Sequence, residues 1–158
     1  MTRVIFLDFD GVLNSAEWMK GFQERNPNLF LHSFERTLKE LNPQQVQMMS
    51  KFAEEMDASV VISSSWRILH PLGELIAILT ANGWGETPII GMTPRVHSGF
   101  RGDEVNLWLA ENTFRGKVEN HVIFDDDGDF HPDQPLVQTD WEQGLQECHI
   151  EHARTILR

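Results

Sequence analysis

Cysteine is almost missing from this chain: Cys148 stands alone among 158 residues. No internal disulfide can form and one thiolate is too few for a structural zinc site, so a reducing, cytoplasmic setting is expected. Basic side chains are scarce as well, 13 against 24 acidic ones, for a net charge of −11. Such a surface repels duplex nucleic acid and anionic membranes and leaves room only for a local basic pocket. Long apolar runs are lacking too. The run over residues 4–7 stops at Asp8, well short of a signal-peptide core, and nothing approaches the ~18 residues of a membrane span, so a soluble protein is expected. There is no repeat and no low-complexity segment. With 41% hydrophobic residues, the length suits one core, and residues 1–158 are expected to form a single domain.

Three short apolar runs are present, Val4-Ile5-Phe6-Leu7, Ser59-Val60-Val61-Ile62 and His121-Val122-Ile123-Phe124. Continuous, β-branched runs of this kind suit strands buried on both faces of a parallel sheet. Helical stripes separate them. Asn42 reads as an N-cap with Pro43 at the first helical position, followed by Val46, Met49, Ala53 and Met56 on one face. Leu69, Leu72, Leu75, Ile76 and Leu79 predict a second helix closed by Asn82-Gly83, and Val105, Trp108, Leu109 and Asn112 a third. A last helix is expected over Glu147–Leu157, and short strands at Ile89-Ile90 and Leu136-Val137. Residues 24–31 and 125–135 read as irregular. Alternating strands and helices predict a mostly parallel α/β sheet, whose ligands bind beyond the carboxyl ends of the strands.

Each of the three runs ends in polar chemistry: Asp8-Phe9-Asp10-Gly11, Ser63-Ser64-Ser65, and Asp125-Asp126-Asp127. Gly11 permits a bend that lets Asp8 and Asp10 point in different directions. Asp8 with Asp125 or Asp126 offers the hard oxygen ligands that magnesium prefers, and a cation removes the repulsion between crowded carboxylates. The serines offer hydroxyl and N–H donors for a phosphate. Arg101, ahead of the third strand, is the first choice for a cation that balances charge on a phosphoryl group, with Arg95 and Lys117 as competitors. A calcium loop over Asp125, Asp127 and Asp129 is excluded, because Phe130 stands where the turn needs glycine and Leu136 where a bidentate glutamate belongs.

In order and setting, Asp8-Phe9-Asp10-Gly11-Val12, Ser63, Arg101 and Asp125-Asp126 resemble the four motifs of haloacid dehalogenase-like (HAD) phosphatases. The stretches Val60-Val61-Ile62-Ser63-Ser64-Ser65-Trp66-Arg67, Gly91-Met92-Thr93-Pro94, Phe124-Asp125-Asp126-Asp127 and Gly144-Leu145 look like the HAD group of Swiss Army Knife RNA-repair proteins and their stand-alone relatives. The resemblance implies a Rossmann-like three-layer α/β/α sandwich with a minimal cap. It implies a Mg2+-dependent phosphomonoester hydrolase in which Asp8 is the nucleophile and Asp10 the acid and base. Magnesium would lie on Asp8, the Asp10 carbonyl and Asp125 or Asp126, with Ser63 and Arg101 holding the phosphoryl oxygens. Ser63 is preferred to Ser64 and Asp126 to its neighbours, with both choices open.

Residues 14–42 contain the one candidate insertion, a small cap-like lid over about 15–42, which leaves an open crevice. Gly11, Ser64, Arg67 and Trp18 are placed at the substrate: Trp18, with Phe22 and Phe30 and with Trp66 behind the serines, as a platform for a base, and Arg67 as the partner of a second phosphate. The expected substrate is a nucleotide or a nucleic-acid terminal phosphate. The alternative is a HAD-fold binding or regulatory module with little turnover. His131 is a candidate for the site, whereas His149, His152 and Cys148 read as a solvated helix face.

Overall fold

The computed structural model describes residues 2–112 and 118–158. Its apolar runs become strands β1 (Thr2–Leu7), β2 (Ala58–Ile62), β3 (Ile89–Met92), β4 (Val118–Asp125) and β5 (Leu136–Gln138). They form one sheet in the order β3-β2-β1-β4-β5, with every pairing parallel. The chain walks outward from β1 through β2 to β3, then returns across the sheet to β4 and β5. The order therefore reverses beside β1, and in open α/β sheets that reversal opens a crevice at the carboxyl ends of the strands.

Alternation along the strands divides the core in two. Ile5, Leu7, Val60, Ile62, Val122 and Phe124 face one side, where they pack against α4 (Pro43–Glu55), α5 (Leu72–Ala81) and α7 (Glu147–Leu157). Val4, Phe6, Val61 and Ile123 face the other and meet Val105 and Trp108 of α6 (Arg101–Asn112). The result is the expected Rossmann-like α/β/α arrangement. Each large apolar side chain so buried contributes on the order of 1.5–3 kcal/mol.

Helix α4 starts where the sequence predicts. The Asn42 side chain accepts from the Gln44 N–H, Pro43 fills the first turn, and Val46, Met49, Phe52 and Ala53 turn inward. The second helix is shorter than its apolar stripe. Pro71 is its N-cap, because a proline disfavours helical geometry in the residue before it, and Leu69 instead ends a separate 3₁₀ turn, Ser65–Ile68, with 81% of its surface exposed. Between β1 and α4 lie three short helices, α1 (Ala16–Met19), α2 (Phe22–Arg25) and α3 (Phe34–Lys39). The first residues of the stretch 24–31, expected to be irregular, are thus helical, and Leu41 joins the main core. Among the described residues no helix is long and apolar enough to cross a membrane.

Candidate active site

Parallel register decides which residues meet. Leu7 lies level with Ile62 on one neighbour and Phe124 on the other. The next residue of each strand, Asp8, Ser63 and Asp125, therefore emerges side by side at the carboxyl edge. Backbone bonds extend the register one step: the Asp8 N–H donates to the Phe124 carbonyl at 3.0 Å, and the Ser63 N–H to the Leu7 carbonyl at 2.9 Å.

Asp8 is buried, and its Oδ1 accepts the Phe9 N–H at 2.8 Å. The Ser64 side chain beside it favours its charged form. Arg101, the first residue of α6, reaches over with Nη1 3.5 Å from Asp8 Oδ2, and the same nitrogen donates to Asp125 Oδ2 at 2.8 Å and the Ser63 carbonyl at 3.2 Å. The loop after β4 holds the helix end: Asp129 Oδ2 accepts the Arg101 N–H, and the Asp129 carbonyl accepts the Gly102 N–H.

Asp126 comes close only because residue 11 is glycine. Gly11 has φ +73°, a left-handed conformation, and a Cβ built there would lie 2.4 Å from both Cγ and Oδ2 of Asp126. Its N–H donates to Asn14 Oδ1 and its carbonyl accepts the Thr139 hydroxyl at 2.6 Å. Gly11, expected at the substrate, thus serves through the turn and this close approach.

Asp8, Asp125 and Asp126 each present a carboxylate oxygen, all within 4.8 Å of one another. Burial and the neighbouring Asp8 raise the Asp125 carboxyl to about 8, against the pull of Arg101. Burial also raises Asp8 and Asp126 above the usual carboxylate range. A crowded, partly desolvated set of hard oxygens with one guanidinium beside it suits a divalent cation of the magnesium type, which would relieve the repulsion. Asp127 turns away: it is exposed, and its Oδ1 accepts the Gly128 N–H.

Both oxygens of the Asp10 carboxylate are held. Oδ1 accepts from Asn14 Nδ2 and Oδ2 from Trp66 Nε1, each at 2.9 Å, and the Trp66 ring packs edge-on to Phe9. Ser64 caps the 3₁₀ turn, its Oγ accepting the Trp66 N–H. Among the described residues Ser63 Oγ is buried without a partner, as is Thr93 Oγ1, so the Ser63 hydroxyl is open to a ligand.

Two expected substrate contacts are not placed as such. Arg67 donates to the carbonyls of Ser63, Ser64 and Thr93 and pairs with Glu104, both side chains less than a tenth exposed. These four bonds tie the serine loop to α6 and engage most of its five N–H donors. Trp18 lines a cleft of about 760 Å³ with Arg25, Gln45 and Gln143, a lining that includes none of Asp8, Asp125 and Asp126, and the Arg25 guanidinium sits 5.2 Å from its ring centroid. Phe22 is buried, while Phe30 is 84% exposed. His131 does not enter the site; it bonds Asp103 at 2.7 Å and packs on Phe100. His149 serves the cap of α7 by accepting the Gln146 N–H. Arg95 is exposed beside the site, and Lys117 lies outside the described residues.

Asn14, Trp66 and Asp129 hold the site together, yet their roles were not read from sequence. They act through bonds made by folding, and no spacing announces an indole aimed at a carboxylate 56 positions away.

Searches of curated proteins and of solved structures return no match. A family model described as "HAD domain in Swiss Army Knife RNA repair proteins" matches residues 4–150, nearly the whole chain. Together with the parallel sheet and the acids at its carboxyl edge, this match shows that the chain belongs to that HAD family.

Proposed function

We propose that the chain is a magnesium-dependent phosphomonoester hydrolase that works through a phosphoryl-aspartate on Asp8. The observation that carries the reading is the convergence, at one strand edge, of a buried Asp8, two further acids, Arg101 and an unpartnered Ser63 hydroxyl. Asp8, Asp125, Asp126 and the Asp10 carbonyl would hold the cation. When bound, magnesium supplies charge neutralisation on the phosphoryl oxygens.

In the first step a carboxylate oxygen of Asp8 attacks phosphorus, the bond to the leaving oxygen breaks, and Asp10 gives that oxygen its proton. In the second step water attacks the phosphoryl-aspartate, Asp10 takes its proton, and phosphate leaves with Asp8 restored. Arg101 and the Ser63 hydroxyl hold the non-bridging oxygens, so positioning and charge balance account for most of the rate. Trp66 and Asn14 keep the Asp10 carboxylate aimed through both steps.

The substrate class is a nucleotide or nucleic-acid terminal phosphate. The family's description points to RNA repair, and only short helices stand between β1 and α4, in keeping with a small lid rather than a cap domain. The chain works as one catalytic unit, and its lone exposed cysteine fits a reducing cytoplasm.

The test is phosphate release from p-nitrophenyl phosphate with magnesium, in the wild type and in Asp8→Asn. Release in the first and none in the second is expected. Equal rates would remove the covalent mechanism, and bound magnesium with no turnover in either would favour a binding module.

A further inference from the structure

Beside the phosphoryl site lies a smaller cavity of about 210 Å³, lined by Ser65, Arg67, Arg95, Arg101 and Glu104. It shares walls with the site. Arg101 is the residue that touches Asp8 and Asp125, and Arg67 holds the carbonyls of Ser63 and Ser64. Three guanidiniums and one carboxylate line it, so the charges of its own walls do not cancel. Arg67 and Glu104 neutralise one another, and Arg101 faces two carboxylates. Arg95 makes no hydrogen bond or ion pair with any described residue, so its guanidinium is left over at the rim. In a chain of net charge −11, an uncompensated cation next to a phosphate site attracts anions to that spot.

We infer that this cavity is a second anion subsite, in which Arg95, with the Ser65 hydroxyl, binds a further phosphate carried by the leaving group of the substrate. The inference deepens the phosphohydrolase reading and rests on it for the reacting phosphate. It transfers to Arg95 the role that sequence suggested for Arg67, most of whose donors are engaged. The chemistry recognised is a phosphomonoester whose alcohol bears a second phosphate. Two sources present it: the phosphodiester next to a nucleic-acid end, and a small bisphosphate.

The experiment uses Asp8→Asn protein with magnesium at low salt, so that ligands bind without turnover. Calorimetry compares adenosine 3′-monophosphate, adenosine 3′,5′-bisphosphate and a dinucleotide with a terminal 3′-phosphate. At least one of the ligands with two phosphate groups is expected to bind about tenfold tighter than the monophosphate, the size of one charge-assisted hydrogen bond at a partly exposed site. Adding Arg95→Ala should collapse that ratio to about one, Arg95→Glu should invert it, and Arg95→Lys should retain part of it. A gain confined to the bisphosphate assigns the small-molecule source, and a gain with the dinucleotide the chain end. Equal affinities in the Asp8→Asn protein, or a preference that survives Arg95→Ala, would overturn the subsite. Because binding is read without catalysis, a preference seen alongside inactive wild-type protein would refute the hydrolase reading and leave the subsite standing.

Discussion

Replacing Gly11 by alanine tests how the acid cluster is assembled. The residue sits at φ +73°, and a left-handed L-residue costs about 1–2 kcal/mol. The new methyl would also meet Asp126, with Cγ and Oδ2 at 2.4 Å and Cβ at 2.6 Å. Those distances force a shift, and overpacking of this kind costs about 1–3 kcal/mol more. The sum, about 2–5 kcal/mol, lowers Tm by on the order of 10 °C in a domain of this size. The moving part is Asp126, so magnesium affinity should fall as well. A double-mutant cycle with Asp126→Gly separates the two costs, because that background removes the three atoms nearest the new methyl and keeps the backbone strain. Thermal unfolding of the four proteins is the assay. Gly11→Ala should cost about 1–2 kcal/mol in the Asp126→Gly background and clearly more in the wild type. Equal costs in both backgrounds would refute the close approach, and no cost in either would refute the turn geometry as well.

Other outcomes follow from the same geometry. Trp66→Phe keeps a ring against Phe9 but removes the donor to Asp10, so kcat should fall about tenfold with KM little changed, in steady-state kinetics across pH; an unchanged kcat would show that the indole does not position the acid. Asp125 is raised to about 8 in the folded chain, against about 4 when unfolded, so the folded state holds an extra proton between those values. Metal-free stability should therefore decline as pH rises through that window. Magnesium binds the deprotonated carboxylates, so the gain in Tm on adding it, measured against a chelator control, should be larger at pH ~8 than at pH ~5.5.

Much of the sheet was legible because its strands are buried on both faces, which leaves continuous β-branched runs with abrupt polar ends. Helix α4 was legible for a different reason: Asn42 and Pro43 are local signals, and their effect is spent within one turn. The second helix shows where such reading stops. Leu69 continues the apolar spacing, yet Pro71 two positions on forbids the helix from including it, and the leucine ends up exposed. Arg67 shows a related limit. Its place behind the serines suggested a substrate contact, but a guanidinium carries five donors, and the surrounding carbonyls and Glu104 claim it once α6 packs beside the loop.

Sequence alone determined that Asp8, Ser63 and Asp125 stand at strand ends, because each follows a run that can only be buried. It also carried the resemblance to the HAD group that the family match bears out. Only the tertiary structure decided that these three stand shoulder to shoulder, since parallel register sets Leu7 level with Ile62 and Phe124 across long sequence gaps. It also decided which donors are spent and which are free. Hydrogen-bond saturation belongs to the packed surroundings and not to the residue type, and that is why Arg67 has most of its donors engaged while, among the described residues, the Ser63 hydroxyl and Arg95 are left without a partner.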